Sequence, residues 1–156
     1  VLPNSNTYGI IRTSYIFLSN VLLNSNTKNN ERGNRMRKAY IAGPYTANTP
    51  EGVEENVRRA EAAAWLYYLK GYAVYCPHAQ THRIHLRYNG DGILDYDDWL
   101  KVTIAWLMEC NVVAFLPGWK NSTGATFEHI VAEALGKEIH YLTEEELRTV
   151  MESGKS

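Results

Sequence analysis

The stretch "NVVAFLPGWKNSTGATFEHIVAEALGKEIHYL", Asn111–Leu142, carries the pattern on which the fold turns. "NVVAFL" is an apolar run too short for a helix and closed by Pro117 and Gly118, which reads as a buried strand. "GATFEHIVAEALGK" has helical spacing, and "EIHYL" is a second short strand. The same alternation continues in both directions. Upstream, "KAYIAG" (38–43) is a strand ended by Gly43 and Pro44. A helix follows over Glu51–Leu69, with apolar positions at Val53, Val57, Ala60, Ala64, Leu66 and Tyr67 and a stop at Lys70 and Gly71. "YAVYC" (72–76) is then a second buried strand stopped by Pro77. "PHAQTHRIHLRYNGDGILDYDD" reads as a polar, aromatic-rich loop, long for a connection and therefore a functional candidate. A helix from about Asp97 to Glu109 leads back to Asn111, and downstream "TEEELRTVMES" is a short helix with Thr143 as cap and Glu146 completing a capping box. Strands apolar throughout, separated by amphipathic helices, imply a parallel sheet covered on both faces. The expected fold is α/β: a small, doubly wound (Rossmann/flavodoxin-like) parallel sheet of about four to five strands.

Composition bounds the function. The chain has 156 residues, enough for one domain with a real core, and its hydrophobic (45%) and charged (21%) fractions are those of an ordinary globular protein. A formal net charge of -1 offers no electrostatic footprint for a nucleic acid polymer or an anionic membrane, so the expected ligand is a small molecule. Cys76 and Cys110 lie inside apolar stretches without a close Cys partner, and they read as reduced core residues of a cytoplasmic protein. Residues 1–35 differ from the rest. They are rich in Asn around the apolar patch "YIFLSNVLL" (15–23), which is too short to span a bilayer. Because ordered patterning starts at Met36, the expected division is an extension over 1–35, non-native or flexible, and a domain over 36–156.

In doubly wound sheets ligands sit outside the carboxyl ends of the strands. That points to "GPYT", "PHAQTHR" and "GWKNSTG", and to Gly43, Tyr45, His78, Gln80, His82, Ser122 and Gly124 as substrate-binding candidates. A helix starting near Ser122 leaves unpaired N–H groups that attract an anion, with Ser122 as plain N-cap or as phosphate ligand, and Gly124 allows close approach to the backbone. On a helical wheel the apolar stripe is Phe127, Ile130, Val131, Ala134 and Leu135. Glu128 falls beside Leu135 at the edge of that stripe, where it is either a solvated helix glutamate or a carboxylate kept ionised by the helix dipole and poised as a nucleophile. The histidines lack a completing ligand pair for zinc, so no metal or other cofactor is expected.

"YIAGPYT", "DYDDWL" and "PGWKNSTGATFEHIVAEALGKEI" resemble the nucleoside 2-deoxyribosyltransferase superfamily over nearly all of 38–142. The most specific element is Ser-x-Gly-x-x-x-Glu, met by Ser122, Gly124 and Glu128. The resemblance implies hydrolysis of an N-glycosidic bond, or sugar transfer, on a small nucleoside or (deoxy)nucleoside 5'-monophosphate. Glu128 would be the nucleophile at C1', Ser122 would hold the 5' end, and Tyr45 would line the base pocket. It also implies a homodimer or larger homo-oligomer, with the aromatic residues Trp65, Tyr67, Tyr68, Trp99 and Trp106 serving the core or that interface. The sequence departs from the family at Thr103, where an Asp usually acts as the leaving-group acid. Asp97 and Asp98, one turn earlier, are the substitute candidates, equally explained as helix-capping residues. Without a working acid, the same fold would be an inactive nucleotide-binding or sensor module.

Overall fold

The structure is a computed structural model that describes residues 35–154; the extension expected over 1–35 lies, save for Arg35, outside the described residues. Four strands, β1 (Lys38–Ala42), β2 (Ala73–Tyr75), β3 (Val112–Phe115) and β4 (Glu138–Tyr141), form one parallel sheet in the order β2-β1-β3-β4. The central strands β1 and β3 pair from Ala39 with Val112 to Ala42 with Phe115. Their side chains are buried on both faces beyond Lys38, which is why they read as unbroken apolar runs. The edge strands are different. β2 and β4 are only half-buried, which corrects the expectation of a fully buried strand at 72–76: an edge position shields less of each residue.

Alternation along the central strands sends side chains to two separate cores. Ala39, Ile41, Val112 and Ala114 pack with Ala60, Ala63, Ala64 and Tyr67 of α1 (Pro50–Leu69) and Leu147 of α5 (Glu144–Ser153). Tyr40, Ala42, Val113 and Phe115 pack with Leu107 of α3 (Tyr96–Glu109) and Ala132 of α4 (Thr123–Ala134). Helices therefore cover both faces, as the strand–helix alternation requires. Arg59 of α1 grips Glu144 of α5 through two nitrogens, at 2.8 and 3.0 Å, on the first face. Thr143 and Glu146 form the expected capping box. Among the described residues no helix is long and apolar enough to cross a membrane.

Two expectations are overturned. The stretch from Pro77 is not a loop but begins with a twelve-residue helix, α2 (Pro77–Tyr88), packed against α1. Pro77 stops the strand and also starts the helix, because a proline at the first helical position loses no hydrogen bond. The buried side of α2 is carried by Pro77, His78 and His82 rather than by aliphatic residues, so no apolar period betrays it. The loop proper is short. Asn89 folds over it, donating to the Leu94 carbonyl and accepting from the Leu94 N–H, both at 2.8 Å.

The second correction concerns the rotation of α4. Phe127, Ile130, Ala134 and Leu135, read as the core stripe, are exposed, and the fully buried positions are Ala125, Glu128 and Ala132, with Val131 partly buried beside them. The small Ala132 packs with Phe115 and Tyr40, and this close approach outweighs the larger side chains that periodicity favours. Of the aromatic residues assigned to core or interface, Tyr67 is in the core, whereas Trp65, Tyr68 and Trp106 are about half exposed.

Candidate functional site

The strand order reverses direction at β1, whose neighbours β2 and β3 are reached through opposite faces of the sheet. The carboxyl ends of β1 and β3 therefore open the crevice in which such folds take ligands. They lie very close together: a Cβ on Gly43 would stand 2.4 Å from Leu116 Cδ1 and 2.8 Å from its Cβ. After β3 the chain turns at Gly118, whose φ of 84° favours glycine, passes through a 3-10 turn at Trp119–Asn121, and enters α4. Ser122 is the N-cap, its Oγ accepting from the Ala125 N–H at 3.3 Å. Gly124 follows, with the Tyr96 hydroxyl 3.3 Å from where its Cβ would be.

Glu128 stands one and a half turns into α4, 8% exposed, and accepts a 2.5 Å hydrogen bond from the Tyr40 hydroxyl of β1. Burial pushes its carboxyl up to about 7, against the lowering effect of the Tyr40 bond. The expectation that the dipole keeps it ionised is corrected accordingly. The dipole fades within the first turn, while desolvation acts in full on a group packed between helix and sheet. Near neutral pH both the protonated and the ionised carboxyl are therefore populated. The Tyr40 phenol is itself held protonated, by burial first and then by the adjacent Glu128 charge. Thr103 and Tyr75 also act on that phenol, and the Thr103 hydroxyl donates to the Leu100 carbonyl at 3.1 Å. The position where an acid was expected thus does adjoin the Tyr40–Glu128 pair, and a hydroxyl occupies it. Tyr96 completes this side, its phenol raised by burial first and then by the Glu128 charge.

A second cluster lies beyond β1. The Tyr45 hydroxyl meets His82 Nδ1 at 2.9 Å, and His82 Nε2 meets Glu54 Oε2 of α1 at 3.2 Å. His78 is buried, its Nε2 donating to the Pro44 carbonyl at 3.0 Å, and burial lowers its imidazole so that it stays neutral. Tyr45 packs edge-on against His78, His82 and His85, and His85 in turn against Trp99 of α3. Asn56 donates to the Tyr45 carbonyl at 3.1 Å and steadies this loop. Gln80 is exposed. Tyr96 and Thr103 of α3 lie beside the Glu128 pair, and Trp99, between them in sequence, packs on His85, so α3 touches both clusters.

The structure thus gathers Tyr45, His78 and His82 in one cluster and places Ser122, Gly124 and Glu128 along the start of α4. Asp98 is committed to a capping box: it accepts from the Asp95 N–H at 3.3 Å while Asp95 caps the Asp98 N–H at 2.9 Å. Asp97 is exposed on the same first turn. The Tyr40 partner of Glu128 is one that sequence reasoning passed over, although a tyrosine inside an apolar strand needs a partner for its hydroxyl. Nothing local announces the pairing of Glu54 with His82, which are 28 residues apart on different helices. Among the described residues no group of three or more His, Cys, Asp or Glu side chains is placed to hold a metal ion. A surface groove lined by Arg59, Glu144, Leu147 and Met151 lies on the other face of the sheet, away from Glu128.

No curated protein matches the sequence. A family model described as "Domain of unknown function (DUF4406)" does match, over residues 37–141. That span runs from just before β1 to the end of β4 and contains every side chain of both clusters, and the chain belongs to this family.

Proposed function

We propose that the protein cleaves the N-glycosidic bond of a small nucleoside or nucleoside 5'-monophosphate, by hydrolysis or sugar transfer, with Glu128 as nucleophile. The observation that carries this is the buried Glu128 carboxyl, hydrogen-bonded by Tyr40 beside the carboxyl ends of a parallel sheet. A carboxylate there attacks C1' through an oxocarbenium-like transition state, the C1'–N bond breaks toward the base, and the glycosyl ester is then resolved by water or a second base. Desolvation strengthens the carboxylate's attraction for the developing positive sugar, and the Tyr40 bond holds its orientation. The unpaired N–H groups at the start of α4, beside Ser122 and Gly124, suit the 5' end of the sugar. The aromatic edge of Tyr45 suits the base. The similarity of the Ser122, Gly124 and Glu128 spacing to the nucleoside 2-deoxyribosyltransferase superfamily supports the same assignment. Exposed apolar side chains on the outer helices, among them Trp106, Phe127 and Ile130, suit a homodimer or larger assembly of a cytoplasmic enzyme.

The test is a panel of ribo- and deoxyribonucleosides and their 5'-monophosphates, with and without an acceptor base, followed by release of free base. Release that disappears in Glu128→Gln supports the proposal. Should no substrate react while a monophosphate still raises the melting temperature, the domain is a binding module instead.

A further inference from the structure

A base leaves a sugar easily only if it is protonated as the C1'–N bond breaks. Among the described residues the groups around the Tyr40–Glu128 pair include the hydroxyls of Thr103, Tyr75 and Tyr96, none of them backed by a second acid–base group, and the carboxylate of Asp98 is engaged at its own helix start. Tyr40 is already donating to Glu128. A chain of acid–base groups, Glu54, His82 and Tyr45, lies just past the end of β1. Glu54 can only accept, so it holds a proton on His82 Nε2 and turns His82 Nδ1 toward the Tyr45 hydroxyl. The order carboxylate, imidazole, hydroxyl is that of a general acid–base relay. Glu54 is largely exposed and stays in contact with solvent protons, whereas His82 is buried. Tyr45 stands at the end of β1, where the ligand crevice opens.

We infer that Tyr45, backed by His82 and Glu54, is the acid that protonates the leaving base, a role that rests on the glycosyl-transfer function proposed above. The step uses the form of the chain in which both ring nitrogens of His82 carry a proton, Nε2–H toward Glu54 and Nδ1–H toward the Tyr45 oxygen. As Glu128 forms its bond to C1', the C1'–N electron pair passes to the base, which takes the Tyr45 hydroxyl proton. The Tyr45 oxygen takes the Nδ1 proton of His82, leaving a neutral imidazole bound to Glu54. When water attacks the glycosyl ester, its proton returns through Tyr45 to His82, the C1'–O bond to Glu128 breaks, and the carboxylate is restored. One water is consumed, and free base and free sugar are formed. Burial and the Glu54 charge keep the Tyr45 phenol protonated at rest, as an acid requires.

The test compares two leaving groups on the same sugar 5'-phosphate: a natural base, which needs the proton, and 4-nitrophenolate, which does not. For Tyr45→Phe, base release is expected to fall about a hundredfold or more, the usual contribution of a general acid, while nitrophenolate release stays near the wild-type rate. Glu54→Gln, a change at an exposed side chain, is expected to lower base release selectively in the same sense. Glu128→Gln abolishes both. An equal loss of both leaving groups in Tyr45→Phe, or unchanged base release, overturns the acid role while the Glu128 chemistry stands. If the wild type releases neither leaving group, the glycosyl-transfer function itself fails.

Discussion

Replacing Glu128 with Gln tests the electrostatics of the site without any substrate. The carboxyl ordinarily titrates near 4.5, and in the folded protein burial raises it to about 7. Each pKa unit is 1.36 kcal/mol, so ionised Glu128 costs the fold about 3 kcal/mol relative to its protonated form. The sign follows from proton binding. Between pH 4.5 and about 7 the native state holds a proton that the unfolded chain has released, so wild-type stability falls as pH rises through this window. The Glu128→Gln variant has no such dependence. Its amide brings a fixed offset, because the buried N–H groups need new partners, but that offset does not vary with pH. His78, also buried and held neutral, is common to both proteins and cancels in the difference. Urea denaturation of both proteins in steps from pH 4.5 to 8.5 is the assay. Relative to wild type, Glu128→Gln is expected to gain about 3 kcal/mol across the range, most of it by pH 7. A difference that is flat with pH, or that moves in wild type's favour as pH rises, would refute the reasoning, since a carboxylate kept ionised by the dipole titrates at or below 4.5 and leaves the difference nearly flat over this range.

Three further outcomes follow from the same geometry. Tyr40→Phe removes the hydroxyl that lowers the Glu128 carboxyl, so the midpoint of that pH-dependent stability loss should move above about 7, with a loss of roughly 1–3 kcal/mol for the broken buried bond. Denaturation at fixed pH intervals reads both effects. Gly43→Ala places a methyl 2.8 Å from Leu116 Cβ, a backbone-anchored atom that cannot swing away, so β1 and β3 must shift at their carboxyl ends. A lower melting temperature is expected, equivalent to about 1–3 kcal/mol. Asn89→Ala unties Leu94, and faster hydrogen exchange should appear at the Leu94 amide and the first turn of α3, with β1 and β3 protected as before.

The strand–helix alternation was legible because its signals are local. Val112–Phe115 is apolar at every position, Gly71 and Gly118 punctuate, and Thr143 with Glu146 spells a capping box. α2 was not legible, since its inward side is made of His78 and His82, and a histidine packed against Tyr45 carries no apolar period. The rotation of α4 was misread for the opposite reason. Phe127 and Ile130 advertise a core face, yet the helix buries Ala125 and Ala132, the latter against the sheet. Helical spacing ranks residues by hydrophobicity and cannot weigh how closely two backbones approach.

Sequence by itself determined the parallel α/β class, the two central strands, and the placement of Gly124 one helical turn and Ser122 between one and two turns ahead of Glu128. Only the tertiary structure decided what Glu128 is. Its neighbour Tyr40 is 88 residues away and joins it only when α4 settles on β1, and the same packing removes the water that would have kept the carboxyl ordinary. The Glu54, His82 and Tyr45 chain likewise draws on α1, α2 and the end of β1, segments that meet because the strand order places β2 beside β1. Local sequence sets propensities, whereas a pKa and a proton path depend on distances between segments, and those distances exist only in the folded chain.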